Sequence, residues 1–207
     1  MSLDSSHSRR RVVLATRNPH KITELRRILI AAGVTDVDLI SADDLEIPDV
    51  AETGLTFAEN AVLKATTVAA ATGLPTVADD SGLSVDALGG MPGVLSARWS
   101  GRHGDDTANL TLVLGQLADV PDDRRTAAFV CAAALAVPGQ PVIVEEGVVR
   151  GRLASEPRGT NGFGYDPIFV PDGETRTTAE LPSAEKDAIS HRGRAFRALA
   201  AHLRELA

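Results

Sequence analysis

A group of residues suited to phosphate binding stands near the N-terminus, in the segment Thr16-Arg17-Asn18-Pro19-His20-Lys21. The segment opens a helical pattern, with Asn18 as a good N-cap and Pro19 suited to the first helical position. Free backbone amides at a helix start attract anions, and Lys21 lies one turn further on as a compact positive charge. The glycine-rich P-loop pattern is absent. The segment therefore predicts an anion site, with a capped helix carrying surface cations as the alternative.

Acidic residues form a second group, led by Asp79-Asp80-Ser81-Gly82 directly after an apolar stretch. Two adjacent carboxylates repel each other and gain from a cation, and Mg²⁺ prefers oxygen ligands that it shares with substrate phosphates. A carboxylate beside such a metal can orient or deprotonate a water molecule. Asp, Ser and Gly are also common in turns, so we expect the strand before these four residues to end there. Glu52, in a polar loop, is a possible third carboxylate.

The loop from Gly159 to Pro167 forms a third group, because it contains three glycines and two of the seven aromatic residues. Glycines let a backbone approach a ligand closely, Phe163 could stack on a base, and Asp166 could accept hydrogen bonds. A packed surface loop with no ligand is the alternative.

Four further cations or donors belong to helical patterns. Lys64 lies among alanines, where it either extends along the apolar surface to water or points at a phosphate. Lys186, His191 and Arg192 precede or open the last helix, for which Ser190 is a suitable N-cap. We expect the last two side chains to serve as donors to an acceptor-rich ligand.

The composition excludes several classes of protein. The chain has 207 residues, a net charge of −7, 43% hydrophobic, 24% charged and 3% aromatic residues, and a single cysteine. The charged fraction and hydrophobic content exclude disorder, and no apolar run approaches the ~20 residues of a membrane helix. The acidic balance and few aromatics disfavour nucleic-acid binding. The histidine spacing offers no zinc site. We expect a cytoplasmic protein whose anionic ligand is held by a local cluster of cations or a metal.

The elements that must position these groups alternate between strand and helix patterns. Their order, βαβαβ and then a helix and a hairpin, predicts an α/β fold with a mixed sheet covered by helices. We expect a flexible basic tail over residues 1–10 and one domain over residues 11–207. The predicted strands are Arg11–Thr16, Val37–Ser41, Leu74–Ala78, Arg124–Val137, Val142–Leu153 and Ile168–Val170. The predicted helices are Pro19–Gly33, Thr56–Gly73, Asp106–Leu117 and Ser190–Leu206.

Five long motifs together resemble one family, the inosine/xanthosine triphosphate pyrophosphatases that remove deaminated nucleotides. They are ATRNPHKITEL (15–25), ETGLTFAENAVLKA (52–65), VADDSGLSVDALGGMPGVLSARWSG (77–101), GTNGFGYDPIF (159–169) and EKDAISHRGRA (185–195). The resemblance implies a long mixed sheet, two lobes with a cleft between them, and a homodimer. It also implies Mg²⁺-dependent hydrolysis of a purine nucleoside triphosphate, ITP, dITP or XTP, to the monophosphate and pyrophosphate.

The resemblance also assigns roles to the residues of these motifs. Asp80 is the proton acceptor, Asp79 a catalytic neighbour, and Asp80 and Glu52 the metal contacts. The expected substrate-binding residues are Thr16, Arg17, Asn18, Pro19, His20, Lys21, Lys64, Ser81, Phe163, Gly164, Tyr165, Asp166, Lys186, His191 and Arg192.

Two alternatives stay open beside this reading. The first is a related pyrophosphatase with a different base preference. The donors expected from His191 and Arg192 disfavour it, because they suit the O6 acceptor of a 6-oxo purine and would stay unpaired against adenine. The second is a nucleotide-binding module without turnover, which the presence of Glu52, Asp79 and Asp80 disfavours.

Overall fold

The computed structural model describes residues 10–45, 47 and 49–206. The predicted flexible tail therefore lies outside the described residues except for Arg10, which begins the first strand. No helix in the described part is both long and apolar enough to cross a membrane.

Within these residues the strands form one six-stranded mixed sheet, in the order β2-β1-β3-β4-β5-β6. The first strand pairs in parallel with the second and third, and the remaining neighbours pair antiparallel. This arrangement confirms the predicted α/β class. The strands are β1 (Arg10–Leu14), β2 (Val37–Ser41), β3 (Thr76–Val85), β4 (Thr126–Ala136), β5 (Ile143–Leu153) and β6 (Phe169–Pro171).

The five α-helices of the described part are α1 (Pro19–Ala31), α2 (Phe57–Thr72), α3 (Asp106–Gln116), α4 (Ser183–Ile189) and α5 (His191–Glu205). Asn18 caps α1 as predicted, because its side chain accepts hydrogen bonds from the backbone amides of His20 and Lys21. Ser190 likewise caps α5. The prediction for α3 is off by one residue, since Asp105 provides the cap and frees Asp106 for another contact. The short helix α4 is not predicted by the sequence patterns.

Helices cover both faces of the sheet. On one face, α1 and α5 pack Leu25 and Phe196 against Leu14 and Val77 of the central strands. On the other face, α2 packs its small residues against an alanine-rich stretch of β4. Because side chains alternate along a strand, neighbouring residues of β3 face different helices. The division into two lobes stays a prediction.

Strand β3 differs most from the prediction, because it continues through Asp79-Asp80-Ser81-Gly82 instead of stopping there. It pairs with β4 over ten residues, so this ladder holds the polar stretch along one edge, whereas pairing with β1 ends at Val77. Gly82 is required by a close approach rather than by a turn. A Cβ at this position would lie 2.3 Å from the Ser96 hydroxyl and 2.6 Å from the Gly93 carbonyl oxygen.

Candidate active site

One cavity of about 610 Å³ collects nearly all the predicted site residues. This volume is within the usual range for small-molecule sites, roughly 300–1,000 Å³. The cavity is lined by every predicted residue except Asp79, namely Thr16, Arg17, Asn18, Pro19, His20, Lys21, Glu52, Lys64, Asp80, Ser81, Phe163, Gly164, Tyr165, Asp166, Lys186, His191 and Arg192. Segments far apart in the sequence therefore form a single site.

The two adjacent aspartates point to opposite faces of β3 and form ion pairs with different cations. Asp79 faces α1 and α5, where its carboxylate lies 3.0 Å from Lys21 Nζ and 3.3 Å from Arg192 Nε. It is fully buried. Burial alone would raise its pKa, but Lys21, Arg192 and Lys64 together hold the pKa of this carboxyl well below its usual range. Asp79 thus anchors two cations behind the cavity wall, and its predicted catalytic role stays a prediction.

Asp80 points to the opposite face of β3, toward α2 and the cavity. Its Oδ2 accepts a hydrogen bond from Asn60 Nδ2 at 2.9 Å, and its Oδ1 accepts one from the Ser81 amide at 3.0 Å. Lys64 Nζ lies 3.8 Å from the same Oδ1. Burial raises the pKa of Asp80, the nearby Glu52 charge adds to the effect, and Lys64 opposes it. The raised pKa makes Asp80 a stronger base than an exposed aspartate.

Glu52 lies on the other side of Lys64, with its Oε1 2.5 Å from Lys64 Nζ. Arg98 donates to the Glu52 backbone carbonyl at 3.4 Å. Burial acts to raise the Glu52 pKa, but the charge of Lys64 and its hydrogen bond lower the pKa overall. Lys64 is therefore shared between two carboxylates at the cavity wall.

These carboxylates fit a divalent cation whose other ligands are water molecules and substrate phosphates. Among the described residues there is no cluster of three or more His, Cys, Asp or Glu side chains that would enclose a metal. Mg²⁺ does not need one, because it keeps several waters and binds through one or two carboxylates plus substrate phosphates. Asp80 and Glu52, both hard oxygen ligands lining the cavity, match that requirement. A cation would also relieve the repulsion between the two carboxylates.

At the far end of the cavity, buried charges of opposite sign follow one another. Arg192 Nη1 lies 2.5 Å from Glu24, and the second Glu24 oxygen lies 3.5 Å from Lys186 Nζ. Lys186 Nζ then lies 2.6 Å from Asp166. With the Asp79 pairs, these contacts define an alternating-charge chain of Lys21, Asp79, Arg192, Glu24, Lys186 and Asp166. It contains three cations and three carboxylates, so the predicted phosphate- and base-binding cations are already neutralised in pairs.

Glu24 is a site residue that the sequence reasoning did not single out. It is 4% exposed and lies on the inner face of α1, on which Leu25, Ile28 and Leu29 are also buried. A signal was available. Lys21 and Glu24 are three residues apart and flank the apolar stripe of α1, a position where an unpaired glutamate would be costly to bury.

Phe163 extends from the glycine loop across the cavity. Its ring stacks on His20, with centroids 5.6 Å apart, and Lys186 Nζ and Arg192 Cζ lie 5.3 and 5.5 Å from its centroid. Within the loop, Asp166 accepts a hydrogen bond from the Phe163 amide at 2.8 Å. The loop thus presents one aromatic face to a set of cations, an arrangement suited to stacking a flat ligand.

Two of the hydrogen bonds that hold this loop involve Tyr165 and Gly164. The Tyr165 hydroxyl donates to the Ser96 carbonyl at 2.9 Å, so this buried ring supports the loop from below. The Gly164 amide donates to Asp106 at 2.8 Å, which explains why Asp106 is free of the α3 cap. Asp106 also lines the cavity, and the sequence reasoning assigned it only to helix capping.

His191 and Arg192 differ in how much donor capacity they have left. His191 stacks on Phe129 with ring centroids 4.7 Å apart. Burial, followed by the charges of Arg192 and Lys186, lowers its pKa well below the usual value, so the ring is neutral. Arg192 uses four of its five N–H groups, two on Asp79, one on Ser81 and one on Glu24. His191 is therefore the more available donor toward the cavity.

Arg17 also lines the cavity. Its guanidinium pairs with Asp49, donates to the Ile47 carbonyl, and lies 3.6 Å from Asp43. The segment after β2 thus holds an arginine of the predicted phosphate-binding turn.

The sequence matches the Ham1 family over residues 12–202. A relative from Streptomyces avermitilis, named dITP/XTP pyrophosphatase, is 64% identical over 95% of this chain and 98% of its own length. A relative with the same name from Mycobacteroides abscessus is 57% identical over 95% of this chain and 96% of its own length.

Solved structures agree with the sequence matches. A HAM1 protein from Coxiella burnetii superposes with a TM-score of 0.85 at 42% identity, covering 95% of this chain and 99% of its own. The Ham1 protein of Staphylococcus aureus gives a TM-score of 0.84 at 39% identity, covering 96% of this chain and 100% of its own.

Proposed function

The chain belongs to the Ham1 family, and from that premise we propose that it hydrolyses dITP, ITP and XTP to the monophosphate and pyrophosphate. The names of its relatives support this reaction. Two relatives that match nearly the full length of this chain, and nearly their own full length, are called dITP/XTP pyrophosphatase. The reaction would remove deaminated purine nucleotides from the precursor pool.

One observation carries the proposal: a single cavity joins cations near a helix start, two carboxylates around a lysine, and an aromatic glycine loop. A nucleoside triphosphate has the matching parts, namely a polyphosphate, a reacting phosphorus and a flat base. Phosphoryl transfer needs mainly positioning and charge stabilisation, which such a set of residues supplies.

In the proposed chemical step, the residues around Lys64 have different roles. Asp80 and Glu52 would hold Mg²⁺, which neutralises phosphate charge when it is bound with the nucleotide. Asp80, whose pKa burial raises, accepts a proton from the attacking water. The water oxygen bonds to the α-phosphorus, the bond to the β-phosphate oxygen breaks, and pyrophosphate leaves. Lys64 stabilises charge on the phosphates from between the two carboxylates.

Selection of a 6-oxo purine rests on the other end of the cavity. The base stacks on Phe163, and the neutral His191 ring donates one N–H to the O6 acceptor. Adenine presents an amino donor at that position and would leave the histidine donor unpaired, at a cost of about 1–3 kcal/mol. Arg192 and Lys186 contribute their remaining N–H groups, with directions set by Glu24 and Asp79.

We also propose that the enzyme works in the cytoplasm as a homodimer. The location follows from the substrate, because nucleotide precursors are found there, and the dimer follows from the resemblance to the family. Sedimentation velocity of the purified protein measures the assembly state directly.

A panel of nucleotides with Mg²⁺ tests the function. ITP, dITP and XTP should release pyrophosphate far faster than ATP or GTP, and EDTA should stop the release. Orthophosphate as the first product, or equal rates with ATP and ITP, would refute the proposal. High rates on another base instead of ITP would favour the related pyrophosphatase with a different base preference.

A further inference from the structure

Asn60 is a buried polar residue of α2 that lies behind the cavity wall. Its side chain is fully buried. Its Nδ2 donates to Asp80 Oδ2 at 2.9 Å, and its Oδ1 accepts from the Gly54 backbone amide at 2.7 Å. A single amide group thus contacts both the strand that carries Asp80 and the loop that carries Glu52.

The loop contact is close and specific. A Cβ on Gly54 would lie 2.7 Å from Asn60 Oδ1 and 2.7 Å from Glu59 Cβ, so the loop backbone rests directly on the start of α2. Two residues before Gly54, the Glu52 side chain reaches Lys64, which lies one helical turn after Asn60. The loop geometry therefore depends on the position of the Asn60 carbonyl oxygen.

We propose that Asn60 is a positioning residue that fixes Asp80 and the Glu52 loop relative to each other. Because its donor and acceptor belong to one planar amide group, a shift of Asn60 displaces its contacts with Asp80 and with the Gly54 backbone together. Asn60 also occupies Asp80 Oδ2, which leaves Oδ1 as the oxygen beside Lys64. This inference rests on the proposed function, in which both carboxylates hold the metal and Asp80 accepts the proton.

Asn60→Asp tests the inference, because aspartate keeps an acceptor for Gly54 but replaces the amide donor beside Asp80 with a second carboxyl, which Asp80 repels. The matched control is Asn109→Asp in α3. Asn109 is 2% exposed, and its Oδ1 accepts from the Ser100 amide at 2.7 Å, but it does not line the cavity. Gly54→Ala perturbs the contact between Asn60 and the Glu52 loop, and it replaces Asn60→Asp as the test variant if Asn60→Asp does not fold.

Two readouts separate positioning from general stability. In Asn60→Asp, kcat on ITP should fall about 10–100-fold while KM changes little, because the residue touches no substrate. The affinity for Mn²⁺ alone, measured from the decrease in the EPR signal of unbound Mn²⁺, should fall by a similar factor. The Asn109→Asp variant should match the wild type in both, whatever its unfolding midpoint.

Wild-type kcat and wild-type Mn²⁺ affinity in Asn60→Asp would overturn the inference. So would equal losses in Asn109→Asp, since they would trace the effect to folding. If the wild-type chain does not hydrolyse ITP, the proposed function fails instead, and the Mn²⁺ titration still decides the role of Asn60.

Discussion

Glu24→Gln is the most informative perturbation of the alternating-charge chain. Glutamine keeps the shape of the side chain but removes one negative charge, so three cations would face two carboxylates in a buried region. Arg192 loses the closer of its two carboxylate partners, and Lys186 keeps only Asp166. The substitution therefore measures how much the folded state depends on complete charge pairing.

Removing one partner from a buried ion pair typically costs about 3–5 kcal/mol. Arg192 and Lys186 each retain one carboxylate, so we expect the lower end, about 3 kcal/mol. For a chain of this length that corresponds to a decrease in Tm of about 6–12 °C. The control is Glu145→Gln, because Glu145 pairs with His202 at 3.3 Å and both side chains are 33% exposed. Glu145→Gln should lower the free energy of unfolding by less than about 1 kcal/mol.

Urea unfolding followed by circular dichroism measures both variants, at pH 7 and then at lower pH. Burial acts to raise the Glu24 pKa, but Arg192 and Lys186 lower it below its ordinary value of 4.5. A group with a lowered folded-state pKa contributes stability above its unfolded pKa and loses it as the pH falls through the folded value. The difference between wild type and Glu24→Gln should therefore shrink in acid. Equal urea midpoints at pH 7 would refute the reasoning.

Three further substitutions address other parts of the site. Asp80→Asn should abolish pyrophosphate release from ITP while the protein stays folded, as circular dichroism would show; residual turnover near the wild-type rate would exclude Asp80 as the proton acceptor. Phe163→Ala should raise KM for ITP by about 5–150-fold, from a stacking loss of about 1–3 kcal/mol; an unchanged KM would place the base elsewhere. Tyr165→Phe should cost about 1 kcal/mol of unfolding free energy, because it removes the hydrogen bond to Ser96; a thermal melt at the wild-type temperature would contradict this.

Local signals predicted most of the elements. Asn18, Thr56 and Ser190 each accept a hydrogen bond from a helix-start amide, as their positions before apolar periodic segments indicated. The hairpin of β4 and β5 was predicted from two long strand candidates on either side of Pro138-Gly139-Gln140-Pro141. These features depend on a few neighbouring residues, so the sequence contains all that is needed to infer them.

Pairing across long distances was harder to predict. The Asp79-Asp80 stretch has the composition of a turn, and it continues as a strand because Lys21 and Arg192 neutralise Asp79 from segments far away in the sequence. Glu24, Asn60 and Asp106 were missed as site residues for the same reason, since their partners are 20 to 168 residues distant. The residues that the motifs single out line one cavity, apart from Asp79, but the motifs did not reveal which of their charges are paired with each other.

The alternation of Asp79 and Asp80 on β3 makes the length of this strand critical. Inserting or deleting one residue between Thr76 and Asp79 would shift the register and exchange the two faces of the strand. The Asp80 carboxylate would then lie among the cations of α1 and α5, and the Asp79 carboxylate would face α2. Tolerance to length changes should therefore be lowest here and highest at the exposed Pro138–Pro141 turn, which a scan of single-codon insertions would map along the chain.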